Sequence, residues 1–281
     1  MLWFEGALHE GTRHGFDLAD RGLTLGDGIF DTALCLGGSI AFHEAHLTRL
    51  AASAEHLGFA IDAEAVGEAM GRIAAAIGDG TIRTTVTRGS GPRGLLPPEP
   101  ARPNWWIGAA PRQAGSGFAP VSLYPSDIRR NETSPGSAIK TLGYLDAVLA
   151  AREARVRGFG EALFLNTRGN LACAGTGNLF AIREGRLVTP PLSDGVLPGI
   201  VRARILTLAG ALGLAGEERS LTLDEARAAE AVFMTNSLRC LSPVTAIGTT
   251  SYPMAHEAVA ALSKALRGLV AEECGVAPEL P

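Results

Sequence analysis

A short segment of glycine and other small residues, residues 113–120, interrupts the apolar patterns of this 281-residue chain. The length allows one large domain or two of ordinary size, and a hydrophobic fraction of 46% is ample for either. Strand-type and helix-type patterns are mixed on both sides of the segment. We therefore predict an α/β (α+β) protein of two domains, residues 1–112 and residues 121–281, joined by a linker at residues 113–120.

The N-terminal half combines one hairpin pattern, two helix patterns and one strand pattern. The apolar residues 29–36, followed by the turn Gly37-Gly38, predict a hairpin. A β-branched run at residues 81–87 predicts a strand, and the Gly- and Pro-rich residues 88–94 predict a loop. Apolar residues recur at helical spacing in two sets, which predicts two amphipathic helices: Leu47, Leu50, Ala51, Ala54 and Leu57, then Val66, Met70, Ile73 and Ile77.

The C-terminal half begins with a strand and a helix that runs to about Arg157, where Gly158 ends it. Residues 162–188 read as strands joined by short turns, and residues 231–235 as another strand. A helix is predicted before that last strand, because four apolar residues would share one of its faces: Val201, Ile205, Leu208 and Leu212.

Charge and composition limit the class of function. The net charge is −4 with interspersed signs, which argues against a nucleic-acid surface and favours a small-molecule site. No apolar run reaches the roughly 18 residues of a membrane helix. The N-terminus lacks the progression of a signal peptide, so we expect a cytoplasmic protein. Four scattered cysteines predict reduced thiols and no zinc site.

Lys140 is one of only two lysines, the other being Lys264, whereas the remaining 23 of the 25 basic residues are arginines. Only lysine can lose its proton near neutral pH and attack a carbonyl group to form a Schiff base. The frame of residues 137–145 is apolar enough to favour the neutral amine by desolvation. A solvated or salt-bridging lysine fits the same frame, and from this segment alone it is the more common case.

Four other places could bind anions or carboxylates, and each also has a structural explanation. Gly199–Arg202 enters a helix, and Thr235–Ser237 follows a strand, so both offer donors to a ligand or to a turn. Arg88 and Arg93 flank a flexible loop and could bind a carboxylate. Arg49 lies opposite the apolar stripe of its helix, so we expect it to be solvated unless a ligand covers it. The histidines and serines form no metal or serine-hydrolase motif.

In chain order these segments resemble the class IV aminotransferase family of pyridoxal 5'-phosphate (PLP) enzymes. That family includes branched-chain aminotransferases, D-amino acid aminotransferases and aminodeoxychorismate lyases. The resemblance covers most of the chain and rests on the LGDG-plus-aromatic element at residues 25–30, HLTRL at 46–50, KTLGYL at 140–145, LPGIVR at 197–202, and Ser237 ahead of Ser242-Pro243-Val244.

The resemblance implies PLP fold type IV, as in D-amino acid aminotransferases, with a C-terminal pseudo-barrel and a cofactor cleft between the domains. It also implies a homodimer and an amino substrate. Lys140 would be the Schiff-base lysine, acting also as base and acid, and Tyr144 would bind the phenolic oxygen of PLP. The phosphate would be held by Arg49, Ser237 and the helix start at Gly199, Ile200 and Val201.

Within the family, the RGSGPRGL segment at residues 88–95 resembles the RGSGGRGY loop of aminodeoxychorismate lyases, and residues 235–238 resemble their NSL segment. The residues at these positions are thought to hold substrate carboxylates in the lyases, so the resemblance gives this role to Arg93 and Asn236. D-amino acid aminotransferases use a tyrosine, an arginine and a histidine, whose positions here hold Phe30, Arg93 and Leu95. We therefore expect 4-amino-4-deoxychorismate lyase activity of folate biosynthesis. The alternative is a D-amino acid aminotransferase that binds its substrate through Arg93 or Arg88.

One position departs from the family. Cys173 occupies the place of a glutamate that pairs with the pyridine nitrogen of PLP. A carboxylate there keeps the nitrogen protonated and the ring a strong electron sink, which a thiol does less well. We hypothesise that the loss slows transamination more than the lyase reaction, because the lyase product gains an aromatic ring. A non-catalytic PLP-binding protein is a further alternative.

Overall fold

The computed structural model describes residues 1–277, which form two compact units. The first unit contains Met1–Gln113, Ile139–Gly143 and residues 270–277, and the second contains Ala114–Ala138 and Tyr144–Leu269. Each unit is built on one β-sheet with helices against it, so the predicted mixed fold class is confirmed.

The first unit contains a six-stranded antiparallel sheet in the order β2-β1-β6-β5-β3-β4. Its strands are β1 (Leu2–Phe4), β2 (Ala7–His9), β3 (Gly28–Leu36), β4 (Ser39–Ile40), β5 (Gly80–Thr87) and β6 (Asn104–Ala110). Its helices are α1 (Arg21–Leu25), α2 (His43–His56) and α3 (Ala63–Ile77). The predicted hairpin, the two helices and the strand at residues 81–87 are confirmed.

One face of this sheet packs against α2 and α3. Because side chains alternate along a strand, Ile29 and Ala33 of β3 point into the core, whereas Phe30 and Thr32 point to the opposite face. The core is closed by buried residues from strands and helices: Ile82, Val86, Ile107, Leu50, Val66, Met70 and Ile73.

The segment Ile139–Gly143 pairs with the edge of β3, which differs from the predicted assignment of Lys140 to the C-terminal domain. The Phe30 amide donates to the Lys140 carbonyl (2.9 Å), and the Leu142 amide donates to the Gly28 carbonyl (3.0 Å). Residue 28 must be glycine, because a Cβ there would lie 2.5 Å from the carbonyl oxygen of Val86 and 2.8 Å from the side chain of Leu142. The backbone around Lys140 is therefore tied to a sheet.

The second unit contains a sheet in the order β12-β11-β10-β13-β14-β7-β8-β9, with β15 paired to β14. Its strands are β7 (Val121–Arg130), β8 (Glu161–Asn166), β9 (Leu171–Ala174), β10 (Asn178–Arg183), β11 (Arg186–Thr189), β12 (Gly216–Glu218), β13 (Ala231–Asn236), β14 (Cys240–Ile247) and β15 (Thr250–Ser251). The helices that follow in the chain are α4 (Pro135–Ala138), α5 (Leu145–Val156), α6 (Ile200–Ala211), α7 (Leu223–Arg227) and α8 (Glu257–Cys274).

The core of the second unit lies on both faces of its sheet. Leu123, Leu163, Leu179 and Val232 form a cluster on one face. On the other, Ala150 and Ala154 of α5 pack with residues of β8 and β9, namely Ala162, Phe164, Ala172 and Cys173. Within residues 1–277 no helix is both long and apolar enough to cross a membrane.

Candidate functional site

Lys140 is half-buried and lies against Phe30. Its Nζ is 4.3 Å from the centroid of the Phe30 ring, and the guanidinium carbon of Arg83 is 3.6 Å from the same centroid. A cation within about 6 Å of an aromatic face is attracted by the ring quadrupole. The ring and the backbone pairing with β3 thus hold the amine on the sheet face that points away from α2 and α3.

A cavity of about 480 Å³ opens on that face of the first sheet. It is lined by Phe16, Gly22, Leu23, Arg83, Thr85, Thr87, Trp106, Gly108 and Leu142. Phe16 and Trp106 meet edge to face, with ring centroids 5.4 Å apart. The combination of aromatic walls, hydroxyl groups and one guanidinium is typical of a site for a small organic ligand.

Arg49 is held by Asp31 rather than solvated, so the interpretation of its helix face from periodicity alone was wrong. Arg49 Nε and Nη2 donate to the two Asp31 oxygens at 2.8 and 2.9 Å, and only 13% of the Arg49 side chain is exposed. His46 Nδ1 lies 2.6 Å from Asp31 Oδ1. Burial opposes ionisation of Asp31, but the hydrogen bond from His46 and the charge of Arg49 hold its pKa below the usual value.

The loop at residues 88–95 is anchored by two buried arginines. Arg88 donates to Asp27 (2.8 Å) and to the Leu57 carbonyl (2.7 Å). Arg21 donates to Asp27 (2.8 Å) and to the loop carbonyls of Gly94 and Leu95. Because Arg88 uses its donors inside the protein, it is poorly placed to bind a substrate, whereas Arg93 is exposed on the loop. Sequence reasoning missed the anchoring role of Arg21.

In the second unit, α6 begins with a backbone arrangement suited to an anion. Gly199 is the N-cap residue, and no side chain in the described part of the chain caps the helix. The amides of Ile200 and Val201 lie in the first turn, where backbone donors and the helix dipole favour negative charge. A Cβ at position 199 would collide with the side-chain oxygen of Asn178, whose amide donates to the Leu197 carbonyl (2.9 Å).

Asn236 and Ser237 stand at the end of β13 and are half-buried. Asn236 Oδ1 accepts from the amides of Leu238 (3.0 Å) and Arg239 (2.7 Å), so its carbonyl builds the turn. The hydroxyl groups of Thr235 and Ser242, on paired strands beside this turn, are buried and have no hydrogen-bond partner among residues 1–277. Buried donors without partners are unusual and point to a ligand or water that completes them.

Tyr144 is half-buried at the N-cap position of α5. Cys173 lies in β9 opposite Phe164 and is 9% exposed. Burial raises the pKa of the Cys173 thiol, and the positive charge of Arg130 only partly opposes the shift. Cys173 is therefore a neutral thiol at neutral pH and cannot act as a negative charge.

Residues 28–247, well over half of the chain, match the profile of the family described as amino-transferase class IV. The chain belongs to the class IV aminotransferases. The predicted family resemblance is confirmed, and with it PLP as the cofactor, because enzymes of this family depend on PLP.

Relatives of this class IV aminotransferase carry out different reactions. It is 32% identical over 233 residues to a Methanocaldococcus jannaschii protein assigned to the branched-chain-amino-acid aminotransferases, with 80% of each chain covered. It is 28% identical over 265 residues to the D-alanine aminotransferase of Bacillus licheniformis, with 87% of each chain covered. The structure of 4-amino-4-deoxychorismate lyase from Pseudomonas aeruginosa superposes with a TM-score of 0.84 and 29% identity, over 97% of this chain and 98% of that chain.

The residues of this class IV aminotransferase fit PLP in both units. The second unit offers, at Gly199, a helix start that no side chain of the described residues caps, which suits a phosphate. The first unit offers a primary amine held on an aromatic ring. These observations support the chemistry of PLP binding without selecting among the reactions of the relatives.

Proposed function

We propose that this class IV aminotransferase is a 4-amino-4-deoxychorismate lyase that forms 4-aminobenzoate and pyruvate. The observation that carries the proposal is the environment of Phe30. D-amino acid aminotransferases have a tyrosine at this position, whose hydroxyl binds a substrate carboxylate. Here the ring contacts both the Lys140 amine and the Arg83 guanidinium and has no hydroxyl to offer.

The loop at residues 88–95 supports the same choice. Its sequence resembles that of the lyases, and Arg21 fixes its backbone so that Arg93 remains exposed. Arg93 can therefore donate two parallel hydrogen bonds to a carboxylate. Asn236 is the second proposed carboxylate ligand, through its amide nitrogen, because its oxygen is used in the turn.

Lys140 is the proposed catalytic residue. Its Nζ would hold the cofactor through its aldehyde and, once released, would remove the ring proton of the substrate and return a proton to the departing pyruvate. PLP supplies the electron sink for the substrate carbanion. The aromatic wall of Phe30 keeps bulk water from the amine on one side.

Three groups are proposed to bind the phosphate: the Arg49 guanidinium, the Ser237 hydroxyl, and the amides of Ile200 and Val201 after Gly199. Asp31 fixes the Arg49 side chain through two hydrogen bonds, so little side-chain entropy is lost when an anion binds. Tyr144 is proposed to donate to the phenolic oxygen of PLP, and Cys173 to lie at the pyridine end.

We also propose that the enzyme is a cytoplasmic homodimer whose partner subunit helps to close the site. Leu95 of the anchored loop and the next residue, Leu96, are 83% and 85% exposed, and Leu23 is 59% exposed. Neighbouring exposed apolar side chains of this kind are typical of a protein contact. Sedimentation velocity would measure the mass of the particle in solution.

A D-amino acid aminotransferase is the second candidate, because the D-alanine aminotransferase of Bacillus licheniformis aligns with 87% of the chain at 28% identity. The two reactions differ in their need for a keto acid. Pyruvate and 4-aminobenzoate should form from 4-amino-4-deoxychorismate alone, whereas transfer from D-alanine or from branched-chain amino acids requires an added keto acid. Transfer without any pyruvate release from 4-amino-4-deoxychorismate would contradict the lyase proposal.

The two lysines provide a matched pair of variants for Lys140. Lys140→Arg keeps the charge but cannot bond to the aldehyde, and the lost proton transfer alone should slow turnover by about 10²–10⁴-fold. Lys264→Arg, on the exposed side of α8, should leave the rate unchanged. Borohydride reduction and peptide mass analysis should find the phosphopyridoxyl group on Lys140 alone. A fully active Lys140→Arg variant would refute the assignment.

A further inference from the structure

Glu161 is a buried carboxylate for which the proposed mechanism has no role. It begins β8 and is 8% exposed. Its Oε2 accepts from the Thr176 hydroxyl (2.6 Å), and its Oε1 accepts from the Ala162 amide (3.2 Å). Two donors fix the carboxylate, yet within residues 1–277 Glu161 takes part in none of the ion pairs that arginine or lysine forms. A buried negative charge without a cation is costly unless another positive group completes it.

The Glu161 carboxylate lies next to Gly175, two residues after Cys173. Gly175 directly follows β9, and a Cβ there would lie 3.7 Å from the Cβ of Ala162, which belongs to the same cluster as Cys173. The Gly175 amide donates to the Ala162 carbonyl (2.9 Å), which continues the pairing of β9 with β8. A Cβ at position 175 would lie 2.5 Å from Glu161 Oε1. Glycine at 175 therefore leaves room for the carboxylate on the face that carries Cys173.

The negative charge of Glu161 also acts on the Cys173 thiol. Burial raises the pKa of the thiol, Arg130 opposes the shift, and the negative charge of Glu161 raises the pKa further. The thiol is thus neutral and offers no negative charge of its own. The carboxylate one strand away is in a position to supply it.

We propose that Glu161 supplies, from the neighbouring strand, the negative charge that a glutamate at position 173 supplies in other class IV aminotransferases. It is a positioning residue that acts past the Cys173 side chain and keeps the ring nitrogen of PLP partly protonated. This inference rests on the proposed placement of Cys173 at the pyridine end. Because Coulomb attraction falls with distance, the effect is weaker than that of a glutamate at 173 and stronger than that of no carboxylate.

The proposal predicts an order of proton affinity at the ring nitrogen. The ring nitrogen should bind its proton most tightly in Cys173→Glu, less tightly in the natural protein, and least tightly in Glu161→Gln. Glutamine has nearly the shape of glutamate and can still accept from Thr176, so the variant removes the charge with little change in packing. In the double variant Glu161→Gln with Cys173→Glu, the ring nitrogen should regain the proton affinity that the single variant Glu161→Gln loses.

The measurement uses each holoenzyme loaded with PLP that carries ¹⁵N in the ring. The ¹⁵N chemical shift separates a protonated from a neutral pyridine nitrogen, and its pH titration reports the proton affinity without any turnover. Glu132→Gln is the matched control, since Glu132 also accepts from a threonine hydroxyl, Thr167, at 2.7 Å in the same unit. That control should titrate like the natural protein.

The outcomes separate this inference from the proposed function. A titration of Glu161→Gln that coincides with that of the natural protein would overturn the role of Glu161. A neutral nitrogen in the natural protein at all pH values, with the phosphopyridoxyl group found on Lys140 after reduction, would overturn it as well. A natural protein that yields no phosphopyridoxyl Lys140 would instead overturn the proposed function. If Glu161→Gln does not fold, Thr176→Val takes its place, because it removes the hydroxyl donor but leaves the carboxylate. The proton affinity of the ring nitrogen should then fall by a smaller shift, and an unchanged titration would refute the proposal.

Discussion

Replacement of Asp31 by asparagine should destabilise the first unit strongly. Both Asp31 oxygens accept from Arg49, and His46 lies at 2.6 Å from one of them, in a site where Asp31 is 3% exposed. Asparagine offers one oxygen and turns an NH₂ group toward positive donors. The variant therefore leaves a guanidinium largely buried without its counter-charge.

The size of the effect follows from the burial of the pair. Removing one partner of a buried ion pair typically costs about 3–5 kcal/mol, because the remaining charge is not compensated. The Arg49 side chain keeps 13% exposure, so water can reach part of the guanidinium. We therefore expect the lower part of that range, about 3 kcal/mol of the free energy of unfolding.

Urea unfolding of the PLP-free protein, followed by circular dichroism, measures this quantity. Asp62→Asn is the control, because Asp62 is an exposed N-cap that accepts from the Ala65 amide at 3.0 Å. Asparagine caps a helix about as well as aspartate, so its free energy of unfolding should change by less than about 0.5 kcal/mol. A loss below about 1 kcal/mol for Asp31→Asn, or one equal to that of Asp62→Asn, would refute the argument from buried charge.

Two further predictions concern the second unit and pH. Gly199→Ala should lower the free energy of unfolding by about 1–3 kcal/mol, because its Cβ would collide with Asn178. Gly210→Ala, in open space near the C-terminal end of α6, should be neutral or stabilising, and equal urea midpoints of the two variants would contradict this. Asp31 and Asp27 have lowered pKa values in the folded protein, so the stability they contribute is complete above about pH 4 and is lost as the pH falls through their folded-state pKa. Urea midpoints measured from pH 7 to pH 3 should fall less steeply in Asp31→Asn, and parallel curves would be inconsistent with that linkage.

Local patterns in the sequence predicted the helices and strands whose apolar spacing is regular. The stripe from Val66 to Ile77 gives α3, and the end of α5 at Val156 lies one residue before the predicted stop. The face predicted for α6 is correct at Val201 and Ile205, but Leu212 lies beyond the helix and is 48% exposed. Helix ends depend on capping geometry, which apolar periodicity does not report.

Other elements were not assigned, for two different reasons. Helix α8 carries Val259, Leu262, Leu266 and Val270 at helical spacing, so its sequence contained a signal that was overlooked. Strand β6 pairs with β1 and β5 from distant parts of the chain, and its burial does not alternate cleanly. Such pairing is decided by the tertiary structure and is weakly encoded in local sequence.

The site residues show the same division. The motif segments indicated Lys140 and the helix start at Gly199 as candidates, because each carries a local chemical signature. The contacts that fix other parts of the site are long-range: Asp31 with Arg49, Arg21 with the loop at residues 88–95, and Glu161 next to Gly175. Each of these pairs joins residues that are separate along the chain, so spacing alone could not reveal them. Their roles at the cofactor remain predictions.

The pairing of Ile139–Gly143 with β3 has a consequence for the fate of damaged chains. These residues cover backbone donors and acceptors at Gly28 and Phe30 that would otherwise form an open sheet border. Uncovered borders recruit strands from other molecules. A chain cleaved just before Ile139, or truncated there during synthesis, would lose the Lys140 amine and also expose an unpaired strand edge. Loss of activity and aggregation should therefore occur together.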